Sequence, residues 1–560
     1  MSAKLELALQ PDPSRLSLAA FIRDVVERHG PRVALRFEGR DWTYAELGAA
    51  VDRLARGMVG AGVVKGARVG LLMANRPEWV VATFAAARIG AVTVPVNTYA
   101  VAEERDYILR HGDVSLLILQ RGLLRHDFLG DLLEQHPEIA GGEPGRLRIP
   151  ALPSLRRVFC LGAEARSGAV QTWEELEALG DDVPDELLDA LSEEVRPSDE
   201  GILIYTSGTT SKPKGVLHLQ RAPVIQSYRF AEYMDLTPDD RTVTAQPFFW
   251  TAGICHSLGS HLAAGATLLL SETFDPGRAL ELAESERATM IIAWPHQGKA
   301  MAEHPGAGDR DLSSVSKLEY GTPLADLAGI DRNDWGIYGS FGMSETFTLM
   351  SAHPARSSPE LRRTKGLPLP GMQIRIVDPS SGAPLGTGEQ GEIAVKGVTF
   401  MRGYHKVEPE NFLDAEAYFH TSDGGYIDAA GNLHWTGRLS GMIKTGGANV
   451  SPLEVETALD GCPGVSHGFA VGIPHPSLGE IVALAAVALP GESVDESGVR
   501  AYLRGKLAAY KVPRRVLEFR REELEYTGTQ KVQLGPLRRL VLGRLAAEGA
   551  EVAGHVYASD

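Results

Sequence analysis

The stretch Tyr205-Thr206-Ser207-Gly208-Thr209-Thr210-Ser211-Lys212-Pro213-Lys214-Gly215 separates an apolar run, Gly201-Ile202-Leu203-Ile204, from a second one that opens at Val216. Hydroxyl residues, two glycines and two lysines stand together in it. Glycine lets the backbone approach an anion closely, hydroxyls and exposed N–H groups donate hydrogen bonds, and lysine adds charge. That composition suits a triphosphate tail. It is not a Walker A loop, because no GxxxxGK[ST] register fits. A Ser/Thr/Gly stretch is by itself more often a polar surface loop, so its meaning depends on what surrounds it.

Upstream, Thr43 followed by Glu46 has capping-box spacing and predicts a helix start; Leu47, Val51, Leu54 and Met58 follow at helical spacing. Residues 67–96 read as strand, helix, strand, and residues 266–294 repeat that alternation. The fold class is therefore α/β, with mostly parallel sheets covered by helices. The weakly periodic region 120–200 reads as connections and surface helices. From Gly366 the texture changes, and 372–378, 391–397 and 431–437 alternate apolar and polar residues between glycines, predicting antiparallel strands in a small β-barrel-like part. Beyond Gly437 come a helix (452–460), two strands (468–473 and 481–489), a helix (496–510) and a strand (515–520). This predicts a large N-terminal domain, 1–437, and a small mobile α+β domain, 438–560.

A chain of 560 residues exceeds one ordinary core. With 44% hydrophobic and 23% charged residues it is globular in composition, and a net charge of −16 argues against nucleic acid or an anionic membrane as main partner. Cys160, Cys255 and Cys462 form no CxxC and read as reduced thiols. No apolar run approaches the ~20 residues of a membrane span, and the N-terminus has no signal-type stretch. The expectation is a soluble cytoplasmic protein without a membrane span; a homodimer is compatible. Gly386 to Gly391 matches GxGxxG but precedes a strand, so a turn is expected. There is no GxSxG elbow and no HExxH, and His256 with His261 reads as ordinary packing or polar contacts rather than metal binding.

Five segments together carry a resemblance. Thr206 to Gly215, Tyr338-Gly339-Ser340-Phe341-Gly342-Met343-Ser344-Glu345, Tyr418-Phe419-His420-Thr421-Ser422-Asp423, Gly437-Arg438 through Lys444 to Glu454, and Thr527-Gly528-Thr529-Gln530-Lys531 stand in order along the chain. They resemble the ordered motifs of the adenylate-forming superfamily of acyl-CoA synthetases, adenylation domains and luciferases. The likeness runs over roughly residues 30–545.

The resemblance implies an ATP-dependent ligase that turns a hydrophobic fatty, alicyclic or aromatic acid into an acyl-adenylate and passes it to coenzyme A. It implies that Thr206, Ser207, Gly208, Thr209, Thr210 and Lys214 cradle phosphates, and that Thr206 and Glu345 reach Mg²⁺. Gly321, Thr322, Pro323, Phe341, Gly342, Met343 and Ser344 would hold the adenylate, Asp423 with Arg438 beside it would bind the ribose, and Lys444 and Lys531 would also bind the nucleotide. Lys531, Glu345 and Ser344 would be catalytic, a cation at Lys531 offsetting charge as two anions join. Trp250, Thr251, Gly253, Tyr320 and Gly321 would line the acid pocket, Gly446 and Gly447 the coenzyme A tunnel, and Ser440 the hinge.

Trp250 stands where relatives often carry histidine, so it can gate by bulk but not act as a base; core filling is the alternative to a gate. Thr273, Gln530 and the Ser440-Gly441 pair also depart from the family pattern. An amine, a carrier-protein thiol or an internal hydroxyl would be alternative acceptors, and a non-catalytic acyl or nucleotide sensor is the alternative of another class.

Overall fold

The computed structural model describes residues 15–206, 212–379, 381–439, 442–525, 532 and 534–558. Eight strands form one sheet in the order Gly403–Tyr404, Lys214–Leu219, Glu200–Thr206, Val92–Pro95, Arg68–Leu72, Leu116–Gln120, Arg157–Leu161 and Val170–Thr172. From Glu200–Thr206 onward the strands are parallel. Lys214–Leu219 turns back antiparallel beside Glu200–Thr206, which makes Thr206 and Lys214 register partners across the mouth of the hydroxyl-rich stretch. A second sheet runs Met290–Ile292, Arg241–Thr244, Thr267–Leu270, Val33–Phe37 and Arg40–Thr43, parallel except for the last strand.

Helices Leu18–His29, Tyr44–Gly60, Pro77–Arg88 and Arg221–Tyr233 share one hydrophobic core with both sheets. Ile202 and Ile204 enter it from the first sheet, Leu35 and Leu268 from the second. Each such side chain withdraws from water an area worth ~1.5–3 kcal/mol. The expected capping box is formed: the Glu46 N–H donates to Thr43 Oγ1 at 3.1 Å, and the Thr43 N–H donates to Glu46 Oε2 at 2.8 Å. Region 120–200 holds more than connections, since Arg157–Leu161 and Val170–Thr172 complete the edge of the first sheet. A five-residue strand is too short to declare a period.

Met372–Val377, Gly391–Gly397, Phe419–Ile427 and Leu433–Arg438 form the expected antiparallel sheet. The small C-terminal domain is a sheet of Ala448–Val450, Ile443–Thr445, Gly479–Ala488 and Val465–His475, with Arg515–Glu518 parallel to Gly479–Ala488. Successive residues of Gly479–Ala488 enter opposite cores: Val482 and Leu484 meet Val455 and Leu503, whereas Ile481 and Ala483 meet Leu537, Val541 and Leu545. A strand covered on both faces reads as one apolar run rather than an alternation. The helix expected over 496–510 stops at Arg504, capped by Gly505. Helix Leu534–Ala547 was not expected, although Leu537, Val541 and Leu545 recur every fourth residue.

Candidate active site

A 710 Å³ cavity lies at the carboxyl ends of the second sheet's strands, lined among others by Gly321, Thr322, Pro323, Phe341, Gly342, Met343 and Ser344. Its volume is that of a small-molecule site. The 338–345 motif forms this wall because its glycines permit contacts that no side chain would. A Cβ on Gly342 would meet Thr348 O at 1.8 Å, and one on Gly339 would meet Arg362 O at 2.0 Å. Strand Ser340–Met343 then gives way to a tight turn, Ser344–Thr346, followed by Phe347 and Thr348 at φ of 50° and 76°. Two consecutive non-glycine residues in the left-handed region are strained, and such strain concentrates at functional sites.

Side chains from other elements hold that turn. His218 Nε2 donates to Ser344 O at 2.7 Å, and the Gln226 amide donates to Thr346 O at 3.0 Å. Burial pushes His218 down to about 4, so it is neutral and its one ring N–H serves this bond. Glu345 leaves the turn to accept from the Tyr404 hydroxyl at 2.7 Å, and Lys214 Nζ lies 4.9 Å above the Tyr404 ring. Because Gly403–Tyr404 is paired to Lys214–Leu219, the strands themselves bring Lys214, Tyr404 and Glu345 together. Oxygen donors of this kind suit a hard cation bridging phosphates.

The other end of the cavity is apolar, lined by Phe230, Trp335, Ile337 and Leu349 together with Thr251 and His256. Thr251 and His256 belong to or border a π-helix, Ala252–Gly259, whose i to i+5 pattern stacks them on one side. Three sequence expectations fall elsewhere. Tyr320 is exposed and outside the lining. Gly253 is buried where a Cβ would meet Pro247 O at 1.9 Å, so it seats the π-helix on the preceding turn. Trp250 is outside the cavity lining, edge-on to Tyr99, Phe249 and Tyr510.

Asp423 is also outside the cavity lining, 1% exposed, with Trp435 Nε1 donating to it at 2.9 Å. Its register partner is Arg438. Lys444 lines the cavity and lies over the same Trp435 ring at 5.5 Å. Ser207, Gly208, Thr209, Thr210, Ser440 and Lys531 lie outside the described residues, as does the Arg438 side chain.

A model of AMP-binding enzymes matches residues 22–405, and a model of their C-terminal domain matches residues 454–531. The chain belongs to the AMP-binding enzymes. It is 35% identical over 518 residues to a feruloyl-CoA synthase from an Amycolatopsis species, with 90% of this chain and 95% of that one covered. A dioxo-octahydro-indenyl propanoyl:CoA ligase of Mycobacterium tuberculosis is 33% identical over 509 residues, covering 89% of this chain and 94% of that one. Among solved structures, the amide bond synthetase McbA from Marinactinospora thermotolerans is similar at a TM-score of 0.74 and 26% identity, covering 94% and 99% of the two chains.

In this AMP-binding enzyme the small domain packs directly against the cavity. Gly447, at φ of 84°, sits where a Cβ would touch the Trp294 ring at 2.9 Å, and it lines both the 710 Å³ cavity and a 110 Å³ cleft with Thr206, Trp250 and Ser344. Gly446, Trp250 and Tyr510 continue into a 500 Å³ gap bearing Arg125, Arg504, Arg514 and His296. The domains are pinned by Lys511, 1% exposed, whose ammonium donates to Glu104 at 2.7 Å and to Glu454 at 2.8 Å. Burial opposes its charge; Tyr510 and the two carboxylates outweigh that and raise its pKa. Sequence reading found neither Lys511 nor Tyr404, because each meets a partner far along the chain; the Lys511–Glu104 pair spans 407 residues.

Proposed function

We propose that this AMP-binding enzyme is an ATP-dependent carboxylic acid:CoA ligase for aromatic or alicyclic acids, working through an enclosed acyl-adenylate. The observation that carries the reading is continuity. Ser344 and Gly447 border both the cavity and the cleft, and Trp250 and Ala448 border both the cleft and the arginine-bearing gap. An acyl phosphate formed at Ser344 would thus meet a thiol arriving along the gap, whose three arginines suit the phosphates of coenzyme A.

In the first half-reaction the acid's carboxylate oxygen bonds to the α-phosphorus of ATP and pyrophosphate departs. The apolar end would orient the ring, and the strained 344–348 turn would fix Ser344 and Glu345. Lys214 and Lys531 would offset the charge of the joining anions. Thr206 and Glu345 would hold Mg²⁺, which when bound neutralises phosphate charge. In the second, the coenzyme A sulfur bonds to the acyl carbon and AMP leaves. The C-terminal domain, 438–560, would turn about Ser440 between the two. Buried Cys160, Cys255 and Cys462, unpaired with one another, support a reducing compartment, the cytoplasm. Among the described residues no helix is long and apolar enough to cross a membrane.

The test is AMP release from a panel of aromatic, alicyclic and fatty acids, with and without coenzyme A, and with amines as alternative acceptors. Acid-dependent pyrophosphate exchange followed by thioester formation is expected. Exchange with amide as the favoured product would overturn the acceptor, and no exchange with any acid would overturn the ligase.

A further inference from the structure

His256 is a polar group at the apolar end of the cavity, and the protein itself gives it half a set of partners. Its ring stacks on Phe230 with centroids 4.8 Å apart and planes inclined by 30°. Its Nδ1 lies 3.1 Å from the Gln246 side-chain amide nitrogen. An amide nitrogen is only a donor, so Nδ1 is the accepting nitrogen and the proton of the neutral ring sits on Nε2. The amide is held in that orientation from its other side: Ser257 Oγ donates to Gln246 Oε1 at 2.8 Å, and Thr244 Oγ1 lies 2.8 Å from Ser257 Oγ. Burial, with His261 adding to it, pushes His256 down to about 3, so the ring stays neutral through the physiological range.

Nε2 is buried and has no hydrogen-bond partner among the described residues. It belongs to a side chain that lines the cavity, whose neighbouring walls Phe230, Trp335, Ile337 and Leu349 offer it no acceptor. Leaving a buried N–H unpaired is costly, and sequences seldom retain one that a leucine could replace. His261, five residues on, is the contrast: both its nitrogens are engaged, by Ser257 O at 2.6 Å and Thr242 Oγ1 at 2.7 Å. One histidine has both nitrogens engaged by the protein; the other lines the cavity and keeps one nitrogen unpaired.

We infer that His256 donates from Nε2 to an oxygen on the distal part of the acid's ring, so that the acid is a ring-bearing acid carrying a carbonyl, hydroxyl or ether oxygen rather than a plain hydrocarbon tail. This rests on the ligase reading and narrows its substrate class. His256 is a specificity-determining residue; it plays no part in the proton or phosphoryl chemistry.

The test uses the full-length enzyme and two matched pairs of acids, 3-cyclohexylpropanoate against its 4-oxo derivative and 3-phenylpropanoate against its 4-hydroxy derivative. Acid-dependent pyrophosphate exchange is measured for the native chain, His256→Phe and His256→Gln, with thermal denaturation confirming that each variant is folded. Phenylalanine keeps the stack on Phe230 and removes the donor; glutamine retains a donor. In at least one pair, the native ratio of kcat/KM for the oxygenated over the plain acid should fall about three- to tenfold in His256→Phe, the scale of one net hydrogen bond, and recover in part in His256→Gln. Ratios unchanged in both pairs by His256→Phe would overturn the inference while leaving the ligase standing. Absence of exchange with every acid would overturn the ligase reading itself, and the inference with it.

Discussion

The two ends of the cavity are built by opposite means. The end proposed for the nucleotide comes from two short contiguous segments, 321–323 and 340–344, with Gly342 pressed against the Thr348 carbonyl. The apolar end is side chain, gathered from helix Arg221–Tyr233, the π-helix, and residues near 335 and 349. A wall fixed by close backbone approach, as at Gly342, tolerates little change, whereas side chains gathered from separate elements can be exchanged singly. Changes at the first end should scale activity for all acids alike; changes at the second should re-rank them.

Gly342→Ala attacks the first wall most directly. Its methyl would enter the Thr348 carbonyl, and pyrophosphate exchange should fall at least ~100-fold for every acid by the same factor. A re-ranked acid panel in a folded variant would erase the distinction between the two ends. Lys511→Met tests the partition between half-reactions. It leaves Glu104 and Glu454 buried without their cation, a defect worth ~3–5 kcal/mol against the closed domain arrangement. Thioester formation should drop ~100-fold while adenylate formation stays within about threefold; equal losses would show that the seal serves both steps.

Tyr404→Phe removes the hydroxyl that steadies Glu345. It should cost roughly tenfold in pyrophosphate exchange, uniform across acids, since a hydrogen bond to a charged group is worth ~1.5–3 kcal/mol. Trp250→Ala should raise KM for coenzyme A about fivefold and leave the acid ranking intact, because the indole faces the cleft and gap. A shifted acid ranking would return Trp250 to the acid pocket.

The smallest effect concerns pH. His218, bonded to Ser344 O, and His256 at the apolar end are held down to about 4 and about 3 by burial. The unfolded chain therefore takes up protons first, near the ordinary value of ~6.5. Their stabilising contribution is complete above that pH and is lost as pH falls toward 4. The melting temperature should decline by on the order of 5 °C between pH 7 and 5, with His218→Phe flattening that slope. An unchanged slope would mean the ring is not neutral in the native state.

The same contrast explains what the sequence disclosed. The 338–345 motif was legible as one of five ordered segments that resemble a family, and the structure adds strain and close approach at adjacent positions within it. Glu345, Ser344 and Gly447 were named through that resemblance, whereas the capping box at Thr43 and Glu46 was read from local spacing alone. Of the apolar end, only Thr251 was legible. Trp250, Gly253 and Tyr320 were chosen by nearness along the chain, but the π-helix turns Thr251 and His256 inward and leaves Gly253 and Trp250 on other sides. Phe230, Trp335 and Leu349 look in sequence like any core residue. Strand Arg157–Leu161 was missed because a run of four apolar residues after Arg157 admits either strand or helix.

The seal at Lys511 also divides the catalytic cycle by its response to salt. Arg125, Arg504 and Arg514 stand along an open gap, where ions at 0.15 M damp attraction beyond about 8 Å. Capture of a polyanionic thiol should therefore slow as ionic strength rises. The Lys511 ammonium and its two carboxylates are closed off from that ionic atmosphere. The step that parts the domains and lets the thioester out should keep its pace in the same titration, so that salt selects which of the two sets the rate.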